Sequence, residues 1–359
     1  MNAKARRVIK LCCLFMAGFI LIFSVVSMIV VKYIYDGQFP RYDRHDETVT
    51  AGLRFSELEA DYPRELVSFQ SGENHLQGYV YGGHQNQGLV VVVHGLGGGA
   101  DSYLAQITYF VDQGWRVFAY DATGSFDSEG ESTKGFPQAL LDLDAALTYI
   151  CAEPDFADLP LLLFGHSWGG YAVANILHYD YEIEGVASVS GPNSSMSMVL
   201  EQGRRMMGGF INTQYPYLWL YQRILFGETA SLAAIDTINA SDVPVLIVHG
   251  IEDEMVHPDE SAIVANANEL TNPKAKVLLL DKPGHSGHND IFRSEAAAAY
   301  VDEVNIEYLK LYDQYDQNIP YEIRQDFYTG IDRALAQDLN KELMDEINMF
   351  FKDCLKDIN

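Results

Sequence analysis

The chain is short of cysteine and of positive charge, and each shortage removes a class of protein. Its 359 residues include four cysteines: Cys12 and Cys13 inside an apolar N-terminal run, and Cys151 and Cys354 far apart in the body. No C-x-x-C pair occurs, so a thiolate zinc site is not indicated; Cys151 and Cys354 read as unpaired, and a disulfide between them would require an oxidising compartment. Lys and Arg number 24 against 50 Asp and Glu, a formal net charge of −26. Lys4, Arg6, Arg7 and Lys10 stand in the first ten residues with no acid beside them, so the remainder is more acidic still. A body of that charge repels phosphate backbones, which argues against nucleic acid as a partner. Neither a P-loop Gly-Lys-Ser/Thr nor a G-x-G-x-x-G fingerprint is present, so no nucleotide cofactor is expected. There is no internal repeat and no low-complexity tract, and 48% hydrophobic against 21% charged residues is the balance of a folded protein rather than a disordered one.

What the chain does have, first, is a long uncharged run. Leu11 to Val31 contains no charged residue. At about 1.5 Å per residue a helix of that length spans roughly 30 Å, the thickness of a bilayer's hydrocarbon core. The run exceeds the usual apolar region of a secretory signal, and no clear small-x-small cleavage site follows it, so an uncleaved anchor is expected over residues 1–35, with a cleaved signal peptide as the alternative. The four preceding basic residues place the N-terminus in the cytoplasm and the rest of the chain outside the cell membrane, as a single-pass protein. Residues 36–63 are polar, carry Pro40 and Pro63, and read as a linker with a short helix near Leu53–Ala60.

From Arg64 the pattern changes to short apolar runs separated by helical stretches. Strands are expected at Leu66–Gln70, His75–Tyr81, Leu89–Val93, Trp115–Tyr120, Leu161–Phe164, Gly185–Ser190, Val243–Val248 and Lys276–Leu280, the first two as a hairpin. Helices are expected at Ser102–Gln113, Gly135–Cys151, Gly169–His178 and Asp259–Leu270. Strands apolar on both faces, alternating with helices, specify an α/β fold around a mostly parallel sheet. Two stretches depart from the alternation. Residues 193–242, rich in Met and aromatic residues, are too long for a simple crossover and read as a helical cap insert. Residues 294–359 read as a helical extension that continues the fold, so that 64–359 forms one domain.

The sharpest chemical feature is Gly165-His166-Ser167-Trp168-Gly169-Gly170, between an expected strand and an expected helix. A serine raised on a tight turn at that junction needs glycines on both sides, because side chains there would collide. The helix that follows directs its positive end toward developing negative charge. A serine hydroxyl is a weak nucleophile and needs a base, which needs an acid to orient it. Pro283-Gly284-His285-Ser286-Gly287-His288 follows the last strand and offers His285 as the base, with His288 as the alternative. His249-Gly250-Ile251-Glu252-Asp253-Glu254 follows another strand and offers Asp253 as the orienting acid, between two further carboxylates. His94-Gly95-Leu96-Gly97-Gly98-Gly99 supplies a glycine-rich turn, so the amides of Leu96 and Trp168 are the expected oxyanion donors.

In their order and rough spacing the His94-Gly95 turn, the GHSWGG elbow, the HGIED segment and the PGH segment resemble the α/β-hydrolases. The match is closest to the serine aminopeptidase, monoglyceride-lipase-like branch, to which the stretch from Asp121 to Ser132 is also similar. The resemblance covers about residues 65–290. It implies an eight-stranded, mostly parallel sheet flanked by helices, a triad of Ser167, Asp253 and His285, and no cofactor or metal. The expected activity is hydrolysis of a carboxylic ester through an acyl-enzyme, on a small-molecule substrate with an apolar acyl or aromatic group under the cap. A peptidase or acyltransferase using the same residues, and a binding protein on the same fold without catalysis, are the competing readings.

Overall fold

The computed structural model describes residues 3–356. Helix α1 (Ala3–Gln38) opens the chain, and its stretch Lys4–Gln38 is long and apolar enough to cross a membrane, with a mean hydropathy of 2.8 over its most apolar 18 residues. After it come the single turn α2 (Phe55–Leu58) and the hairpin β1 (Arg64–Ser71) and β2 (Asn74–Tyr81), reversed where Gly72 takes φ +57°. The alternating part follows: β3 (Leu89–Val93), α3 (Leu104–Asp112), β4 (Arg116–Tyr120), α4 (Phe136–Ala152), β5 (Leu161–His166), α5 (Trp168–Asn175) and β6 (Gly185–Val189). The stretch after β6 holds α6 (Ser195–Met207), α7 (Ile211–Phe226) and α8 (Ala234–Asn239), before β7 (Val245–Gly250) and β8 (Ala275–Leu280). Four helices end the chain: α9 (Glu295–Gln314), α10 (Tyr321–Thr329), α11 (Arg333–Ala336) and α12 (Lys341–Cys354).

All eight strands join one sheet in the order β1-β2-β4-β3-β5-β6-β7-β8. β2 runs antiparallel to β1 and β4, and every other neighbouring pair is parallel. The central strands β3, β5, β6 and β7 are buried along their whole length, as apolar runs without polar alternation require when helices cover both faces. Successive residues divide the core in two. Val91 and Val93 meet α4, α5 and α8 on one face, whereas Val90 and Val92 meet α3 and α12 on the other. The helix expected at Asp259–Leu270 is instead an irregular 3-10 stretch, Ile263–Glu269, broken by Asn266.

The terminal helices pack unequally. α12 lays Leu343, Met344, Ile347 and Phe351 on the sheet, and its Cys354 sits where a side chain on Gly185 would have to go. α9 buries only Ala297 over twenty residues, so it lies outside the core rather than on the sheet. All four cysteines are free.

The segment after α1 is fastened to the domain rather than loose. The Arg41 guanidinium donates to the carbonyls of Phe126, Ser128 and Gly130 at 2.6–2.9 Å. The Tyr42 amide donates to the Gly124 carbonyl at 2.9 Å, and the Tyr42 carbonyl accepts from the Phe126 amide at 2.8 Å. Arg44 pairs with Asp101 at 2.5 Å and with Asp127 at 2.7 Å. This strap fixes the end of α1 against the loop after β4 and beside the glycine-rich turn, where a Cβ on Gly97 would stand 3.6 Å from the Tyr42 ring.

Candidate active site

Ser167 sits between β5 and α5 with φ +55° and ψ −113°, a conformation that costs an L-residue of order 1–3 kcal/mol. The surroundings enforce it. A Cβ on Gly165 would stand 2.3 Å from the Gly169 carbonyl oxygen, and one on Gly169 would stand 2.0 Å from the Val93 carbonyl oxygen. Glycine is therefore required at both positions for the elbow to close against β3. The Ser167 amide donates to the Val189 carbonyl at 2.8 Å, and the Ser167 carbonyl accepts from the Tyr171 amide at 2.9 Å. The backbone is held at both ends while the side chain stays partly exposed, in a cavity of about 540 Å³.

The same cavity is lined by Gly95, Leu96, His166 and His288. Asp253, in the loop after β7, is buried, and its oxygens take Nδ1 of His288 at 2.8 and 2.9 Å and the amides of Met255 and Val256 at 2.9 and 2.8 Å. Burial alone would raise the Asp253 pKa. The hydrogen bond and the charge of His288 outweigh it, together with the Val256 amide, and hold the group below the ordinary carboxylate value. With Nδ1 donating to the carboxylate, Nε2 is the basic nitrogen of the His288 ring.

His285 is not brought to Asp253. It lines a separate cavity with Lys282, Arg293, Ser294 and Glu295, so the expectation that it follows Asp253 in the triad gives way to His288. The physical reason lies in the loop after β8. The chain turns back at Gly284, with φ +74°, and the His285 amide donates to the Lys282 carbonyl at 3.0 Å. Glu252 holds that turn by accepting from the Gly284 amide at 3.0 Å and the Ser286 hydroxyl at 2.6 Å. Gly250 then lets the Ser286 backbone approach so closely that a Cβ there would lie 2.0 Å from its oxygen. Only after these three residues of turn does the chain present a ring to Asp253.

Leu96 is half-buried at the glycine-rich turn, and Trp168 is fully buried at the first position of α5 with its indole N–H donating to the Phe136 carbonyl at 3.1 Å. Neither the Leu96 nor the Trp168 amide has an acceptor among the described residues. Each is a free donor beside the serine, as oxyanion stabilisation requires. Among the described residues no group of three or more His, Cys, Asp or Glu side chains is placed to hold a metal ion.

A family model described as serine aminopeptidase, S33, matches residues 84–235, which include the serine elbow and the glycine-rich turn. Among solved structures, an esterase from Pyrococcus furiosus superposes with a TM-score of 0.51 at 15% identity, covering 79% of this chain and 100% of its own. In another crystal form the same esterase gives a TM-score of 0.52 at 17% identity, covering 77% and 95%. A comparison with curated protein sequences returns no match. The chain has the α/β-hydrolase fold.

Three residues of this hydrolase fold carry the site without having stood out in the sequence. The His94 ring bridges the turn: its Nδ1–H donates to the Gly95 carbonyl at 2.7 Å and its Nε2 accepts from the Ala122 amide at 2.9 Å. Burial pushes its pKa down to about 4, so the ring is neutral and the tautomer follows from its partners. His166 Nε2 lies 3.0 Å from the His288 carbonyl oxygen, which can only accept, so Nε2 carries the proton and Nδ1 accepts from the Tyr103 hydroxyl at 2.7 Å. Burial, then the neighbouring His288, lowers the His166 pKa to about 3. Tyr103 in turn accepts from the Gly95 amide at 2.9 Å. Gly95, Tyr103, His166 and His288 thus form one buried chain of hydrogen bonds from the glycine-rich turn to the backbone of the histidine that Asp253 holds. The sequence signal was the histidine beside each motif glycine, at 94 and 166, which reads equally well as packing.

Proposed function

We propose that the chain is a membrane-anchored serine hydrolase that cleaves carboxylic esters through an acyl-enzyme. The observation that carries this reading is the Asp253–His288 pair, hydrogen-bonded at 2.8 and 2.9 Å in the cavity that Ser167 lines. In the proposed sequence of steps the Ser167 hydroxyl attacks the ester carbonyl while His288 Nε2 takes its proton. Asp253 stabilises the imidazolium that results, and the Leu96 and Trp168 amides hold the oxyanion. His288 returns the proton to the leaving alkoxide. It then deprotonates a water, whose attack on the acyl-serine releases the acid and restores the hydroxyl.

In this reading residues 1–35 anchor the protein with the N-terminus cytoplasmic, and residues 36–63 join the anchor to the hydrolase domain, 64–359. Within that domain 193–242 covers the site as a cap, and 294–359 extends the fold. Support for the cap comes from Glu201 of α6, buried and accepting from the amides of His257 and Ser261, which ties the insert to the loop that carries Asp253. Support for the anchor comes from α1 itself, whose residues Leu11, Leu14, Phe15, Phe19 and Ile22 are each more than half exposed. An apolar surface of that length is stable only in lipid or against another protein.

The test is labelling of the full-length protein in detergent with a fluorophosphonate, together with turnover of p-nitrophenyl esters. Ser167→Ala should lose both. Full esterase turnover by Ser167→Ala would overturn the reading. The description of the matched family model as serine aminopeptidase favours a second reading, a peptidase using the same residues. Faster turnover of aminoacyl-nitroanilides than of p-nitrophenyl esters would select it.

A further inference from the structure

The last third of α1 does not leave the protein for the bilayer but packs against it. Val31, Tyr35 and Phe39 are each 5% exposed or less, in contrast to the bare residues nearer the N-terminus. The contact is made chiefly with α7 of the insert. Ser24 Oγ lies 2.9 Å from the Tyr217 hydroxyl, and Tyr221 donates to Asp36 at 2.5 Å while accepting from Lys32 at 3.2 Å. The Tyr35 and Tyr221 rings meet edge to face at 5.4 Å. Gly135, at the start of α4, gives the Tyr35 ring its room, since a Cβ there would stand 2.2 Å from the hydroxyl.

Between α1 and the cap lies a second cavity, of about 240 Å³. Val30 and Ile34 of α1, Met198 and Met207 of α6, and Leu96 and Phe136 of the domain line it. Its polar lining is three glutamine side chains and Tyr35, and it contains no charged residue. Leu96, Phe136, Met198 and Met255 also line the cavity of Ser167, so the two spaces adjoin at the expected oxyanion donor. At the other end Val30 and Met206 are exposed, by 40% and 58%. The outer side of the insert continues this apolar flank: Trp219, Leu220, Ile224 and Leu225 of α7 are all at least 40% exposed.

Depth in the bilayer decides what such a space can hold. The uncharged run of α1 ends at Val31, and the cavity is lined by α1 residues from Val30 to Gln38 and by Phe39 just after it. If the run spans the hydrocarbon core, the cavity stands at the boundary between acyl chains and headgroups. That is the level at which the ester carbonyls of bilayer lipids lie. A flank of exposed Trp, Leu and Ile beside an anchor helix suits the same boundary, where aromatic side chains collect.

We propose that this cavity is the acyl-chain site for a long-chain ester drawn from the bilayer, and that the membrane helix itself forms one of its walls. The proposal rests on the hydrolase reading and names its substrate class. The carbonyl of the bound lipid would reach Ser167 past Leu96, with its chain lying along Val30 and Ile34. The anchor is then part of the substrate site and sets chain-length preference, in addition to holding the protein at the surface.

The experiment uses the full-length protein in phosphatidylcholine vesicles, with p-nitrophenyl butyrate and p-nitrophenyl palmitate as probes and fluorophosphonate labelling as the measure of intact sites. Ile34→Trp fills the cavity from the α1 side, and Val30→Phe does so with a smaller change. Tyr33→Trp places the same bulk on the neighbouring residue, which is 82% exposed and outside the cavity. Per labelled site, the palmitate-to-butyrate ratio of kcat/KM should fall at least tenfold in Ile34→Trp, and by less in Val30→Phe. It should stay within twofold of wild type in Tyr33→Trp. Equal ratios in Ile34→Trp and Tyr33→Trp would overturn the acyl site while leaving the hydrolase reading intact. A wild-type protein that neither labels nor turns over either ester would overturn the hydrolase reading, and the acyl site with it.

Discussion

Replacing each of the two histidines of the loop after β8 by glutamine separates the roles the structure gives them. His288 holds Asp253 through Nδ1 at 2.8 and 2.9 Å, whereas His285 lines another cavity. Glutamine at 288 can still donate an amide hydrogen to Asp253, and the Met255 and Val256 amides continue to supply that carboxylate. The folded state should therefore lose only about 1 kcal/mol, the net worth of one altered hydrogen bond. Catalysis loses its only base. Removal of a triad base lowers kcat by about 10⁴ to 10⁶, which is about 5–8 kcal/mol of transition-state stabilisation. His285→Gln changes neither the pair nor the cavity of Ser167, and should alter kcat less than about twofold.

The assay is p-nitrophenyl butyrate turnover by the full-length protein in detergent, with thermal unfolding of each variant as the control for folding. His288→Gln should melt within a few degrees of wild type and be inactive. His285→Gln should match wild type in both measurements. The reasoning fails if His288→Gln retains a tenth of wild-type turnover, or if His285→Gln is the inactive variant. The second result would mean that the loop refolds in the active state to bring His285 across.

Further outcomes follow from the same geometry. Asp253→Asn should lower kcat about 10³- to 10⁴-fold, because the imidazolium loses its counter-charge and the ring its fixed tautomer, while KM for short esters changes little; near-normal kcat would refute the pairing. Tyr103→Phe removes the acceptor of the Gly95 amide and the donor to His166 Nδ1, both buried, so unfolding should become easier by about 1–3 kcal/mol in denaturant titration; no change would show that water takes the hydroxyl's place. Arg41→Ala leaves the Phe126, Ser128 and Gly130 carbonyls without their guanidinium and should lower the melting temperature by several degrees; an unchanged melting temperature would mean that the strap contributes nothing to stability. Stability should also fall with acidity above pH 4. His94 and His166 have folded values of about 4 and about 3, both below the ordinary 6.5, so their contribution is complete above that value and is lost as pH falls toward the folded ones. Asp121, raised by burial to about 6, works in the other direction, because its contribution grows as pH falls below 6. Burial also lowers His249 and raises Asp142, so three rings stand against two carboxyls and the net is a fall in stability as pH drops from 6 to 4; a melting temperature that stays flat or rises as pH drops over that interval would show that the rings are hydrated rather than buried.

How much of this could be read from residues alone varied with how local the cause was. The central strands were legible because each is a run such as Leu89–Val93, apolar without alternation, whose burial on both faces follows from composition, whereas β1 and β2 showed through their hairpin turn. The elbow was legible for a similar reason: Gly165 and Gly169 are sequence neighbours of Ser167, and the contacts that require them are made within that turn and with the adjacent β3. The failed helix at Asp259–Leu270 marks the limit of the method. Its apolar spacing fits a helix, but Asn266 departs from helical φ and ψ and the stretch closes as 3-10 turns.

The choice between His285 and His288 could not be made from sequence, because it depends on a carboxylate that looked like a bystander. Position after the strand favours His285, and three residues is less than one helical turn, so either ring could reach a distant Asp. What decides is Glu252, which binds the Gly284 amide and the Ser286 hydroxyl and so fixes where the turn ends. In the sequence Glu252 is one of three acids in a row, indistinguishable from a solvated charge. In the fold the middle acid orients the ring, and the one before it sets the length of loop that delivers the ring. The same reasoning yields a sharper expectation than loss of a hydrogen bond. Glu252→Ala should leave Ser167 and Asp253 in place while releasing the turn from Gly284 to Ser286. Turnover should therefore fall through kcat, by about tenfold or more, with fluorophosphonate labelling slowed in proportion. Asp281→Ala, four residues before His285 and exposed, should do neither. Equal kcat in the two variants would show that the other contacts of this loop, among them the His166 ring on the His288 carbonyl and Glu254 on the His288 amide, hold His288 over Asp253, and that the carboxylate at 252 has no part in positioning it.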